Sequence, residues 1–351
     1  MVARLPWEQE VAGSNPVIPI RGWHFPKVES VNKLEVHRSS PLLPRSQAVR
    51  QQTLTLSFVG SIPTGVGMKD FKSIGKTVEG NEGDKCNYPY RLDTYGCGCQ
   101  HDCSYYYAKS LLDFRGLWNP QNPSVANIAD ISKEIKKIPR GTIVRLGGMT
   151  DCFQPAEKIY RNTYKTIRLL NKRRIPYLIV TKSAIVAEKE YLEVLDKDLA
   201  HIQITVTTLD DDLSLTYEKA SKPTDRVEAI KTLQEHGFDV QLRLSPFIPQ
   251  YVDFDRFNAL GIDKILVEFL RVNTWIKKWF DIDYSEYTVR QSSYQHLPLK
   301  KKLEYISKLT GFKEMTVCED EDNAYNYWKY HFNHNKDDCC NLRRSSYESK
   351  D

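Results

Sequence analysis

From Tyr88 onward the chain alternates two kinds of segment, and few folds accommodate that order. Six short runs read as strands: Tyr90–Tyr95, Thr142–Gly147, Pro176–Thr181, Ile202–Thr207, Asp239–Leu244 and Lys264–Phe269. Each is rich in β-branched residues and bounded by turn formers. Helical patterns lie between them. Ala156–Arg174 places apolar residues at helical spacing and ends in basic ones. "TDRVEAIKTLQEHG" opens on a capping candidate, Thr224 or Asp225, and stops at Gly237, the residue type favoured just past a helix end. Strand, helix, strand, repeated, builds a parallel sheet with right-handed crossovers. Closed or nearly closed, such a sheet is a TIM-type barrel, with its chemistry at the C-terminal strand ends.

Composition sets the outer limits. Hydrophobic residues are 40% of the 351, enough for a large core, which excludes disorder and collagen-like repetition for the chain as a whole. The formal charge of +5 is spread out, with no polybasic tail. It permits nucleic acid or an anionic small molecule as partner and selects neither. No apolar run approaches the ~20 residues of a membrane span, and no signal-peptide order opens the chain, so a cytoplasmic protein is expected.

Three regions are expected. Residues 1–67 hold seven of the seventeen prolines, no cysteine and no sustained period, and read as a disordered or non-native extension. Gly13 to Pro16 is the Gly-Ser-Asn-Pro that the T-arm of a transfer RNA gene encodes in frame, which points to Met68 as the start. Residues 68–273 carry the barrel pattern. Residues 274–351 are aromatic and charged, and read as a helical or irregular C-terminal extension.

Eight cysteines are present, and three of them, Cys97, Cys99 and Cys103, fall within seven residues. In a chain of this size clustered thiols suggest metal or catalysis before disulfides. Cys86 and Cys152 read as small buried apolar residues. The cluster does not, because Gly, Gln, His and Asp flank it. Near the other end, Cys318, Cys339 and Cys340 with His331 form a candidate second metal site or a cover for the barrel. Adjacent Cys339 and Cys340 do not fit the Cys-x2-Cys spacing of zinc knuckles.

The loop "GCQHDCSYYYA" (Gly98 to Ala108) resembles the cluster loop of radical S-adenosyl-L-methionine (SAM) enzymes, in the branch similar to spore photoproduct lyase. "GGMTDCFQPAEK" (Gly147–Lys158) is similar to that branch's second-strand motif. "TKS" (Thr181–Ser183), "VTTLDDD" (Val206–Asp212), Arg226 and "RLSPFIP" (Arg243–Pro249) continue the series in family order. The resemblance implies a partial (β/α)6 barrel, a 4Fe-4S cluster, bound SAM and a reductant protein such as flavodoxin or ferredoxin. The family holds its cluster by Cys-x3-Cys-x2-Cys. Here Cys99 and Cys103 match the first two ligands, and Tyr106 stands at the third. Cys97 is one substitute ligand. The other accounts are a single-base Cys-to-Tyr change, which we favour, and a degenerate site.

The resemblance also implies a SAM seat. Tyr105 takes the aromatic position beside the adenine, and Gly147 and Gly148 the turn near the methionine ammonium. Thr150 and Asp151 receive that ammonium, or else cap the following helix. Lys182, Thr207 and Arg243 stand at strand ends, facing a carboxylate or ribose, or else making rim salt bridges such as Arg243 with Glu268. The lyase's hydrogen-donor cysteine precedes the second-strand motif, where this chain has Met149. That role is therefore not carried over to Cys152, and DNA is only a weak candidate substrate. The alternatives to an enzyme are a non-catalytic barrel that binds SAM or nucleic acid, and a zinc module of Cys97, Cys99 and Cys103.

Overall fold

A computed structural model describes residues 74–342. Residues 1–67 and the proposed start at Met68 lie outside the described part. One sheet organises the rest. Its strands are β1 (Gly75–Thr77), β2 (Tyr90–Leu92), β3 (Val144–Leu146), β4 (Tyr177–Thr181), β5 (Ala200–Thr205), β6 (Asp239–Phe247), β7 (Lys264–Phe269) and β8 (Glu314–Cys318), side by side in chain order. β1 is antiparallel to β2, and every later pairing is parallel. β1 and β8 end the order without pairing to each other, so the sheet is the open, partial barrel expected.

Alternation along the strands divides the sheet into two faces. Val144, Tyr177, Ile179, Ile202, Ile204, Val240, Leu242, Ile265 and Val267 pack outward into the main core with Ile131, Ile135, Ile167, Leu170, Ile230 and Leu233 of the surrounding helices. Each such residue is worth about 1.5–3 kcal/mol of burial. The opposite face carries Arg145, Leu178, Gln203, Gln241, Arg243, Leu266 and Glu268, an unusually polar set for a parallel sheet. That face turns toward the site.

Three expectations are adjusted. The first strand stops at Leu92, and Tyr95–Gly96 pairs separately with Ser124–Val125. The helix expected over Ala156–Arg174 is two helices, α1 (Ala156–Tyr160) and α2 (Asn162–Lys172), broken at Arg161 with φ +52°. The break follows from Glu157, whose buried carboxylate accepts the Thr163 and Tyr164 N–H groups, both at 2.8 Å, and so caps α2 from within α1. Finally, the C-terminal extension does not stand aside. Its β8 pairs with β7 along Glu314–Cys318 and extends the sheet.

Candidate active site

A cavity opens at the C-terminal ends of the parallel strands, as barrel geometry requires. Cys99, Cys103, Tyr105, Tyr106, Gly147, Gly148, Thr150, Asp151, Lys182 and Arg243 all line it. Thr207 and Cys97 are not among its lining residues. Thr207 lies past the end of β5 and shares a 2.8 Å hydrogen bond with the Tyr217 hydroxyl, and Thr205 lines the cavity instead. Cys97 is half-buried with φ +54°, and its carbonyl accepts from Asn119 N–H at 2.7 Å.

The thiol loop is held by the second-strand motif. Gln154 Oε1 accepts the Gln100 N–H at 2.9 Å, and Gln100 Oε1 accepts the Ala156 N–H at 2.6 Å. This exchange ties the loop to the start of α1. Asp151 does not cap that helix. It reaches across to β4, accepting from Thr181 Oγ at 2.8 Å and from the Lys182 N–H at 2.7 Å. His101 Nε2 sits 3.2 Å from the same carboxylate. Burial pushes the Asp151 carboxyl up; His101 and the N–H groups of Lys182 and Phe153 more than offset it, leaving its pKa below the usual value. Thr150 Oγ donates to the Tyr95 carbonyl at 2.8 Å.

The two thiols do not ionise unaided. Burial and then Asp151 push Cys99 up to about 12. Burial and then Glu218, whose Oε2 is 3.9 Å from Cys103 Sγ, push Cys103 higher still. Such thiols are poor nucleophiles, and a bound metal is what would make them thiolates. Tyr106 is different again. Its hydroxyl donates to the Met149 carbonyl, and burial, then the neighbouring Cys99, drive its pKa far above the ordinary tyrosine value. The cavity therefore presents two thiols and a firmly protonated phenol. Three thiolates would be needed to match the family's ligand pattern, so the donor set falls one short.

Around the thiols the remaining groups are mostly charged, and Glu218, Arg226 and Arg243 are buried. The Tyr105 hydroxyl donates to Glu218, which also pairs with Arg226. Lys182 Nζ donates to the Ser245 carbonyl at 3.1 Å and lies 5.5 Å from the centre of the Tyr105 ring. Arg243 pairs with Glu268 and with Gln203 Oε1 at 2.6 Å, the rim salt bridge weighed above. The motif reading missed Glu218, Asp93 and Arg145. Asp93 accepts the Met149 N–H at 3.3 Å and pairs with Lys76 at 3.3 Å. Only Arg145 left a signal, a cation inside the apolar run "TIVRLG".

Glu268 gives a pH prediction. Burial raises its pKa, but Arg243 and then Arg271 outweigh burial and bring it to about 2. Unfolded glutamate titrates near ~4.3. A carboxyl depressed on folding adds stability above its unfolded pKa, and loses it as pH falls through the folded value. Urea midpoints should fall between pH 5 and pH 2, and the Glu268→Gln protein should show a shallower fall. Equal slopes for the two proteins would deny the coupling.

Residues 94–256 match the family model of the Radical SAM superfamily. The uncharacterized protein MJ0683 of Methanocaldococcus jannaschii is 27% identical over 175 residues, which cover 47% of this chain and 63% of that protein. The chain thus spans less than two thirds of that relative. Spore photoproduct lyase complexed with dinucleoside spore photoproduct superposes at TM-score 0.52 and 14% identity, over 70% of this chain and 81% of that one. A double mutant of that lyase with bound AdoMet and dinucleoside spore photoproduct gives 0.51 at 15% identity, over 67% and 76%. At such identities the structures speak for the fold. Among the described residues no helix is long and apolar enough to cross a membrane. Residues 94–256 thus match the Radical SAM superfamily model, and the partial barrel is the fold the chain shares with these lyase structures.

Proposed function

We propose that the chain is a SAM-dependent radical enzyme in lineage and architecture, with its SAM seat in the cavity at the strand ends and its cluster seat incomplete at Tyr106. One observation carries this reading: Cys99, Cys103, Tyr105, Gly147, Asp151, Lys182 and Arg243, scattered over 145 positions of sequence, line a single cavity. In this family a 4Fe-4S cluster with one open iron supplies the electron that cleaves the SAM sulfonium. No step is assigned to a cluster here, because the donor set lacks a thiolate. A reductant protein such as flavodoxin or ferredoxin is the partner the chemistry requires.

The residues' own tasks are binding and exclusion. The Gly147 backbone, at φ +79°, allows close approach, and a Cβ there would lie 2.6 Å from the Thr150 carbonyl. Asp151 offers its carboxylate to an ammonium. Lys182 and Arg243 offer positive charge to a carboxylate. Tyr105, with Tyr217 and Phe280 at ring distances of 5.8 and 5.7 Å, offers an aromatic wall to a base. The substrate stays unassigned. Met149, with no S–H, stands where the lyase cysteine would, which weighs against repair of a DNA photoproduct.

Calorimetry with SAM tests the seat. Gly147→Ala should raise the SAM Kd at least tenfold, about 1.4 kcal/mol, through its left-handed backbone and the contact with Thr150. An unchanged Kd would remove Gly147 from the seat. No SAM binding by the parent chain would sink the reading as a whole.

A further inference from the structure

The cavity has a deep end. Arg145 lines it and stands beside Leu178 of β4 in the sheet register. Leu178 is buried with Leu266 and Cys340, and Gln241 Nε2 donates to the Cys340 carbonyl at 2.8 Å. Asp338 accepts the Tyr88 hydroxyl at 2.6 Å and the Cys340 N–H at 2.9 Å. The C-terminal tail is thus fastened against the inner face of the sheet, next to Arg145. Arg145 precedes the Gly147 turn by two residues, which sets it about 6–7 Å further from the strand ends at ~3.3 Å per residue.

The charges at this end are unevenly placed. Three carboxylates line the cavity, and each is engaged. Glu268 pairs with Arg243 and accepts Ser245 Oγ at 2.7 Å. Asp151 accepts from Thr181 Oγ and the Lys182 N–H. Glu82 lies 2.7 Å from Arg91 and 3.7 Å from Arg271, so one carboxylate serves two guanidiniums. Arg271 also pairs with Asp320, and its guanidinium lies 4.1 Å from the centre of the Tyr107 ring. Arg145 stands beside Arg91 in the register of β2 and β3.

Arg145 differs from these fixed cations. It is half-buried, and its Nε is buried with no hydrogen-bond partner among the described residues. Cavity water can solvate the rest of the guanidinium, so the fold asks for no partner there. A ligand that displaces this water must bring acceptors in its place, because a desolvated guanidinium without them is costly. The planar fork of arginine matches a carboxylate or a phosphate with two parallel hydrogen bonds. Lys182 and Arg243 are the cations offered to the carboxylate of SAM, which leaves Arg145 for a second molecule.

We propose that Arg145 binds an anionic group, a carboxylate or a phosphate, of the molecule on which the enzyme acts. The substrate is then an acid held by its charged end in the deep part of the cavity. The role as substrate anchor rests on the SAM reading, and the anion pocket is tested apart from it. Phenylglyoxal should modify Arg145 in the full chain, read peptide by peptide. Inorganic phosphate or acetate should slow that modification saturably and leave the exposed Arg140 unprotected. Whichever anion shields at the lower concentration names the group. In NMR titrations with the same anions, Arg145→Gln should raise the Kd about tenfold. Arg145→Lys, which keeps the charge without the fork, should lose less. By calorimetry the SAM Kd of Arg145→Gln should stay within about twofold of the parent's, since no contact with SAM is lost. If the variants do not fold, shielding in the parent decides. Shielding by neither anion overturns the proposal, and so does an anion Kd that Arg145→Gln leaves unchanged. A SAM Kd that rises as far as the anion Kd also overturns it, by placing Arg145 in the SAM seat. If the parent binds no SAM, the SAM reading fails, while shielding of Arg145 still supports the pocket.

Discussion

A Tyr106→Cys protein, reconstituted anaerobically with iron and sulfide, should gain about four irons held by the loop and make 5′-deoxyadenosine from SAM under dithionite, while the chain as written does neither. To keep any other centre out of the count, both proteins are compared against their Cys99→Ser, Cys103→Ser versions. The physical ground is the third position. The Tyr106 hydroxyl is spent on the Met149 carbonyl, and burial beside Cys99 keeps it protonated. A hard, protonated phenol replaces a soft thiolate badly at a low-potential centre. The substitution also removes an aromatic ring that packs on Tyr107 and Trp118, with ring centres 6.0 and 5.9 Å away, so a modest loss of stability should accompany the gain of iron. If the parent holds the loop cluster unaided, Tyr106 or Cys97 is a ligand, and Cys97→Ala separates the two. If neither protein holds loop iron or cleaves SAM, the chain is a binding protein on an inherited barrel.

Arg226→Ala should cost about 3–5 kcal/mol, the largest stability loss we expect from one substitution near the site. Arg226 and Glu218 form an ion pair whose side chains are both 0% exposed. Arg226 also donates from Nε to the Ser221 carbonyl at 2.6 Å and from Nη1 to the Thr205 carbonyl at 3.1 Å. Removing it strands a buried carboxylate 3.9 Å from Cys103 Sγ. Burial raises the Glu218 pKa, and Arg226 followed by Lys182 outweighs burial and lowers it below the usual glutamate value. That depressed pKa adds stability above the unfolded value of ~4.3, and the stability is lost as pH falls below it. In Arg226→Ala the carboxyl should instead take up a proton at higher pH, so the variant should lose less stability on acidification than the parent. Urea unfolding at several pH values checks both claims. A loss under about 1 kcal/mol would mean the site relaxes or admits water. Glu218→Gln with Arg226→Met should recover much of the deficit, since an uncharged pair of similar volume carries no desolvation penalty.

The motif residues divide by what they do. Gln154 and Glu157 belong to the most recognisable stretch of the chain, yet both work as scaffolding. Gln154 holds the thiol loop, and Glu157 gathers the hydroxyls of Tyr95 and Tyr191 with the caps of α2. Asp151, another motif residue, holds the end of β4 through Thr181 and Lys182 and faces His101 of the thiol loop. A motif can thus be legible while the division between holding and reacting is not, because both need polar groups at fixed spacing.

The parallel order of the strands, the mouth at their C-terminal ends and the two thiols of the loop could all be read from sequence, because strand period, turn chemistry and ligand spacing are local properties. Tertiary structure alone decided the rest. It joined β8 to the sheet across the 44 residues that follow the end of β7. It set Glu218 beside Cys103. It packed Cys318 and Cys339 against Cys340, Leu178 and Leu266 on one face of the sheet. Burial, charge compensation and side-chain convergence depend on which distant segments share a face, and no local period encodes that.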